Sequence, residues 1–114
     1  MRARKNKHLT RNQLAAVARL FSALSEPNRL SLLQLLHDGP LSVNELVEAS
    51  GMKQANVSKQ LAILRDHDLV RGERQGTSIR YEIADSTVFS LCDAVCGKLA
   101  KDAKRAVTVF HPEI

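Results

Sequence analysis

Two cysteines, Cys92 and Cys96, stand four residues apart, the spacing that brings two side chains onto one face of a helix. Thiols so placed could take a soft metal or a metalloid, or be oxidised, and at a two-fold axis four of them would gather. They would serve equally well as small apolar filling, since a thiol without a lowered pKa is inert. A thiol enzyme is the weakest reading, because a nucleophilic cysteine needs a partner base and an accessible electropositive pocket, whereas both of these fall on an apolar stripe. His8, His37, His67 and His111 lie on different elements with no i, i+4 pairing between them and point to no metal site.

A second constellation is polar rather than reactive. Lys53, Gln54, Ala55, Asn56, Ser58 and Lys59 gather small, amide, hydroxyl and cationic side chains within seven positions. Gln and Asn each carry a donor and an acceptor side by side, which suits the edge of a base, and neighbouring cations suit phosphates. Further along, Arg71, Arg74 and Arg80 surround a Gln75-Gly76-Thr77-Ser78 tip. Alone, those arginines could equally be a solvated face.

The chain that must position these groups has 114 residues, 44% apolar and 25% charged, the composition of one small globular domain. Seventeen Lys and Arg against twelve Asp and Glu leave +5, with a pI near 9.6, which favours a polyanionic partner, nucleic acid first. No apolar stretch approaches the roughly 20 residues of a membrane span, and the basic start is followed by no apolar signal region, so a cytoplasmic protein with no membrane partner is expected. Two cysteines are too few for a secreted disulfide scaffold and are expected as reduced thiols. So small a chain buries only about two-thirds of its unfolded surface, and a leucine-rich core then invites completion by a partner subunit. Size and charge argue against an enzyme with a deep private active site, and nothing in the composition requires a cofactor.

Residues 1–8, basic and almost without apolar groups, are expected as a flexible arm, 9–105 as the folded domain and 106–114 as a tail. From Leu9 to Leu24 the residues Leu14, Val17, Leu20, Phe21 and Leu24 recur at helical spacing. Ser25-Glu26-Pro27 then stops one helix and starts the next, which runs from Asn28 to His37 with five leucines, too many for one face, and should lie centrally. Ser42 and Glu45 form a capping box that opens a third helix ending near Gly51. A fourth, Lys53 to His67, turns Val57, Leu61 and Leu64 inward and leaves the polar constellation outside. The period then changes to two at Ile79, Tyr81 and Ile83, and Leu69 to Arg71 can pair with them across a turn at Gly76. After Asp85 or Ser86 as a cap, Val88, Leu91, Cys92, Val95 and Leu99 line a final helix. Two helices about a glycine turn followed by a basic hairpin make a winged helix-turn-helix, mainly α with a small antiparallel β-hairpin.

Leu24-Ser25-Glu26-Pro27-Asn28-Arg29-Leu30, Leu41-Ser42-Val43-Asn44-Glu45-Leu46, Val57-Ser58-Lys59-Gln60-Leu61-Ala62-Ile63-Leu64-Arg65, Leu69-Val70 and Arg74-Gln75-Gly76 through Tyr81, in that order, closely resemble the ArsR/SmtB family of bacterial repressors. The likeness runs from about Leu14 to Leu99. It implies a homodimer with the order α-α-α-α-β-β-α, the first and last helices forming the interface, and an effector that lowers DNA affinity; the apolar stripes of those two helices, more than one small domain can bury, make Leu14, Val17, Phe21, Val88, Leu91, Val95 and Leu99 the expected interface residues. It puts Gln54, Ala55, Asn56, Ser58 and Lys59 where members read bases and phosphates, and Arg74, Gln75, Thr77 and Arg80 on the wing, with Lys53 beside them. Departures are Lys53 where Ser is usual, Gln60 where His is usual, and His67-Asp68 where Ala-Gly is usual. The family's thiol segment falls here on Leu41 to Leu46, without a cysteine, and its final-helix site falls on Asp85, Thr87, Lys98 and Lys101, of which only Asp85 could ligate.

The expectation is therefore a DNA-binding transcriptional regulator, a repressor that binds an inverted-repeat operator in double-stranded DNA as a homodimer. Release by a thiol-directed signal at Cys92 and Cys96, whether metal, metalloid or oxidant, is the remaining effector chemistry. The other reading is a winged-helix protein-interaction module without DNA binding, against which the polar helix and basic charge both speak.

Overall fold

A computed structural model describes residues 8–106, so the expected arm, His8 apart, and the expected tail, Ala106 apart, lie outside the described residues. The chain divides into two compact units, one up to Ala84 and one from Asp85 onward.

In the first unit, helix α1 (Arg11–Ala23) begins two residues later than its apolar pattern suggested. Thr10 sets that start, because its hydroxyl accepts from the Gln13 amide while the Gln13 side chain accepts from the Thr10 amide. Helix α2 (Pro27–Leu36) has Pro27 in its first turn, where a missing N–H costs nothing, and the Glu26 carboxylate accepts from the amides of Asn28 and Arg29. Its expected central place holds for Leu32, Leu33 and Leu36, which are buried, but not for Leu30, which is exposed.

Strand β1 (Leu41–Ser42) precedes α3 (Val43–Ser50), and the capping box of Ser42 and Glu45 forms as expected. Gly51 ends α3 at φ 77°, a left-handed position that glycine takes without a Cβ clash. Helix α4 (Gln54–Asp66) follows and buries Val57, Leu61 and Leu64 completely. With Leu32, Leu33, Leu36 and Leu46 these side chains form the core that holds α2, α3 and α4 together.

Strands β2 (Val70–Gln75) and β3 (Ser78–Ile83) pair antiparallel, and Gly76 at φ 66° opens the two-residue turn between them. The winged-helix order is borne out with one element added: β1 pairs with β3, Leu41 opposite Tyr81 and Ser42 opposite Arg80, giving a three-stranded sheet in the order β1-β3-β2. Opposite Tyr81 on the other side lies Gly72, where an added Cβ would meet the tyrosine ring at 2.9 Å. Gly72→Ala is therefore expected to destabilise the fold by about 1–3 kcal/mol through overpacking, read as a lower denaturant midpoint. An unchanged midpoint would show that the Tyr81 ring can swing clear.

In the second unit, helix α5 (Thr87–Ala106) is preceded by Asp85, whose carboxylate accepts from the Thr87 amide at 2.9 Å and is held below the usual carboxylate range mainly by that bond. A Lys98–Asp102 ion pair one turn apart supports its exposed side.

Candidate nucleic-acid interface

Helices α3 and α4, joined through the left-handed Gly51, form the helix-turn-helix. Because Val57, Leu61 and Leu64 commit one side of α4 to the core, its other side is left to water, and Gln54, Ala55, Ser58 and Lys59 are all exposed there. Lys53 is the N-cap residue and makes no side-chain cap bond; its carbonyl accepts from the Asn56 amide at 3.0 Å, but the first turn of α4 lacks the hydroxyl acceptor that a serine would add. Lys53→Ser is expected to stabilise the fold by about 0.5–2 kcal/mol, seen as a higher melting temperature. No rise would mean that the first-turn amides are already satisfied.

Asn56 lies half-buried rather than outside with its neighbours. Its Oδ1 accepts from Gln60 Nε2 at 2.9 Å, and its Nδ2 lies 3.5 Å from Met52 Sδ. Gln60, noticed in the sequence only as a departure from the family pattern, is buried, and its Oε1 accepts from Arg29 Nη1 at 2.8 Å. Helical spacing carried the signal, because position 60 follows Val57 by three residues and so falls on the inward face.

The hairpin distributes its arginines unequally. Arg71 Nε is 2.8 Å from Glu82 Oε2, its cross-strand neighbour. Arg80, expected on the wing with Arg74, is engaged within the protein instead: Nη2 donates to the Pro40 carbonyl at 2.9 Å, and Nη1 lies 3.6 Å from Glu45 Oε1. The reason is register, since Arg80 faces Ser42 on β1 and its guanidinium meets the start of α3 there. Glu45 is held below the usual carboxylate range chiefly by the Ser42 amide, with Arg80 adding to it. Arg74, Gln75 and Thr77 stay exposed at the tip, and the Arg74 side chain has neither ion pair nor hydrogen-bonded partner among the described residues. It is the free cation of the wing.

Among the residues expected at a subunit interface, Leu14, Val17 and Phe21 of α1 are exposed, Phe21 by 52%, as are Val95 and Leu99 of α5. Leu91 is half-buried and Val88 is buried, which leaves Val88 no surface to offer. Cys96 is exposed and Cys92 half-buried. Burial pushes the Cys92 thiol up from its ordinary value, and Cys96 and Asp93 add to the shift. The donor set on α5 and just before it does not fit a metal site of the family's kind. Asp85 is taken up by the Thr87 amide, Lys98 is a cation paired with Asp102, and among the described residues no three His, Cys, Asp or Glu side chains come together for an ion.

A helix-turn-helix with a polar outer face, followed by a hairpin with a free cation at its tip, defines a winged helix-turn-helix protein of the DNA-binding class. Comparison with known proteins agrees. A family model described as a helix-turn-helix domain matches residues 24–73. The HTH-type transcriptional regulator NmtR of Mycobacterium tuberculosis is 48% identical over 79 residues, 69% of this chain and 66% of that protein. A transcriptional repressor SmtB homolog of Synechocystis is 38% identical over 88 residues, 77% of this chain and 67% of that one. Among solved structures, the homodimeric winged helix-turn-helix DNA-binding domain of a possible ArsR-family regulator from Mycobacterium bovis is 30% identical with a TM-score of 0.69, covering 93% of this chain and 98% of that fragment. The chain belongs to the ArsR/SmtB family of transcriptional regulators, whose fold and role are not those of enzymes. The match spans about two thirds of the length of the two curated relatives.

Proposed function

We propose that this chain is a repressor that recognises an inverted-repeat operator in double-stranded DNA as a homodimer. The observation that carries the reading is α4: one side is sealed in the core, while the other holds Gln54, Ala55, Ser58 and Lys59 exposed behind a glycine turn. Gln54 and Ser58 would read base edges, with Ala55 small enough to let the helix approach, and Lys53, Lys59 and Arg74 would hold phosphates. Asn56, half-buried and tied to Gln60, would meet the groove from that position. Arg80 acts differently, bracing the sheet against α3. Support for the dimer comes from the exposed apolar residues of α1 and α5 and from the homodimeric relative. Two subunits would set their recognition helices about 34–36 Å apart, or a multiple of it, to meet successive major grooves.

No helix among the described residues is long and apolar enough to cross a membrane, and a regulator of this kind would act in the cytoplasm, where its DNA is. A thiol-directed signal, soft metal, metalloid or oxidant, would meet Cys96 first, because Cys96 is exposed whereas Cys92 is half-buried and that burial pushes its thiol up from the ordinary value. The double variant Cys92→Ser, Cys96→Ser would then bind operator normally and lose that response, and a wild type without any response would make both residues packing.

The reading is tested by titrating labelled duplex DNA with protein over a range of salt. Affinity should fall steeply as salt rises, and Gln54→Ala should cost about 1–3 kcal/mol and relax the preference at one operator position. No binding at low salt would leave the protein-interaction module as the reading.

A further inference from the structure

Gln60 is the buried polar side chain among the described residues, 6% exposed, and its hydrogen bonds have a direction. They start at Arg29 on α2, whose Nε donates to the Ala23 carbonyl at 2.7 Å and whose Nη2 donates to the Ser22 carbonyl at 3.2 Å, at the end of α1. Its Nη1 donates to Gln60 Oε1 at 2.8 Å, Gln60 Nε2 donates to Asn56 Oδ1 at 2.9 Å, and Asn56 Nδ2 points on to Met52 Sδ. An amide can stand either way round, because it holds one acceptor and one donor end, but a guanidinium only donates. Arg29 therefore compels Gln60 to turn its oxygen inward and its nitrogen towards α4's first turn. Gln60 compels Asn56 to do the same. Reversing the chain would set N–H against N–H in a site shielded from water, which is costly.

Resting on the DNA-reading role given above, we propose that Arg29 and Gln60 are positioning residues that fix the polarity with which Asn56 meets the major groove. Asn56 keeps its oxygen engaged on Gln60 and one N–H directed at Met52 Sδ, and offers its second N–H. The base pair opposite it is selected for an acceptor edge, guanine N7 and O6 or thymine O4, and not for the paired donor and acceptor of adenine that a free asparagine would choose. Specificity at that position is set by side chains that touch no DNA.

Gln60→Glu inverts the chain. The introduced carboxylate keeps the shape of the amide and gives Arg29 a charged partner, but it only accepts, so Asn56 must turn its nitrogen inward and its oxygen outward. Wild type and variant are each used to select from a pool of duplexes with a randomised central segment, and the enriched sequences are compared. At one base pair of each half-site the preference should pass from an acceptor edge to a donor edge, cytosine N4 or adenine N6, by roughly tenfold, with the remaining positions unchanged. Asn56→Asp, at the half-exposed end of the chain, must change the same base pair in the same sense, and it carries the test if the first variant fails to fold. A purely structural role would weaken binding evenly over all sequences. Wild type and both variants enriching the same sequence would overturn the proposal and leave DNA reading intact. A wild type that enriches nothing would overturn DNA reading and the proposal with it.

Discussion

Phe21→Asp is expected to yield a folded protomer that no longer dimerises and has lost operator binding. Phe21 is 52% exposed on α1, and neither it nor Leu14 belongs to the core of α2, α3 and α4, so an aspartate there leaves the protomer's own packing intact. At a two-fold interface the substitution appears twice and buries two unpaired carboxylates against apolar surface, a cost of several kcal/mol that a small interface cannot offset. Two half-sites bound by linked heads would become two sites bound independently, and affinity should fall by a factor on the order of a hundred or more. Light scattering gives the mass, circular dichroism the fold and a DNA titration the affinity. Leu91→Asp is less discriminating, because Leu91 is already half-buried and its loss would mix unfolding with dissociation. A Phe21→Asp protein that stays dimeric would place the interface elsewhere.

Removing Lys59 and Arg74 together, each by alanine, should have an effect of similar size through a different term. In a homodimer each substitution deletes two phosphate contacts, so the pair deletes four, and the slope of log affinity against log salt should become less steep by about 3.6. At 0.15 M salt that corresponds to a loss of roughly a thousandfold, applied evenly to all sequences. Lys59 and Arg74 are exposed on α4 and at the wing tip, so neither substitution should disturb the fold. Arg80→Ala is the contrasting case. Its guanidinium holds the Pro40 carbonyl and sits beside Glu45, so its loss should lower stability while leaving the slope unaltered. An unchanged slope in the Lys59 and Arg74 double variant would end their assignment to phosphates.

These assignments show where the sequence was informative. The second, third and fourth helices were legible because their signals are local: Pro27 in a first turn, the Ser42 and Glu45 box, Gly51 in a left-handed cap, and Val57, Leu61 and Leu64 at helical spacing. The Thr10 and Gln13 box had the same spacing and was readable, yet the apolar pattern alone placed the start two residues early. Strand β1 was not legible, because two residues have no period and the strand exists only through its pairing with β3, Leu41 opposite Tyr81. The same pairing decides the fate of Arg80. In sequence it is one more arginine of a basic wing, and only the register brings it to Glu45. The tie from Arg29 to Gln60 spans 31 positions, and no pattern along the chain announces it. Polar residues that work through local chemistry could be found by spacing, whereas those that work through long-range partners needed the fold.

The claim on which all of this rests is that two α4 helices of one dimer read two half-sites. It is tested most directly by hydroxyl-radical footprinting of the wild-type protein on a duplex enriched from a random pool. The expected result is two protected patches on one face of the duplex, related by a two-fold axis, with centres about 10–10.5 base pairs apart or a multiple of that. A single patch without symmetry, or protection spread evenly along the duplex with no enriched sequence, would contradict it.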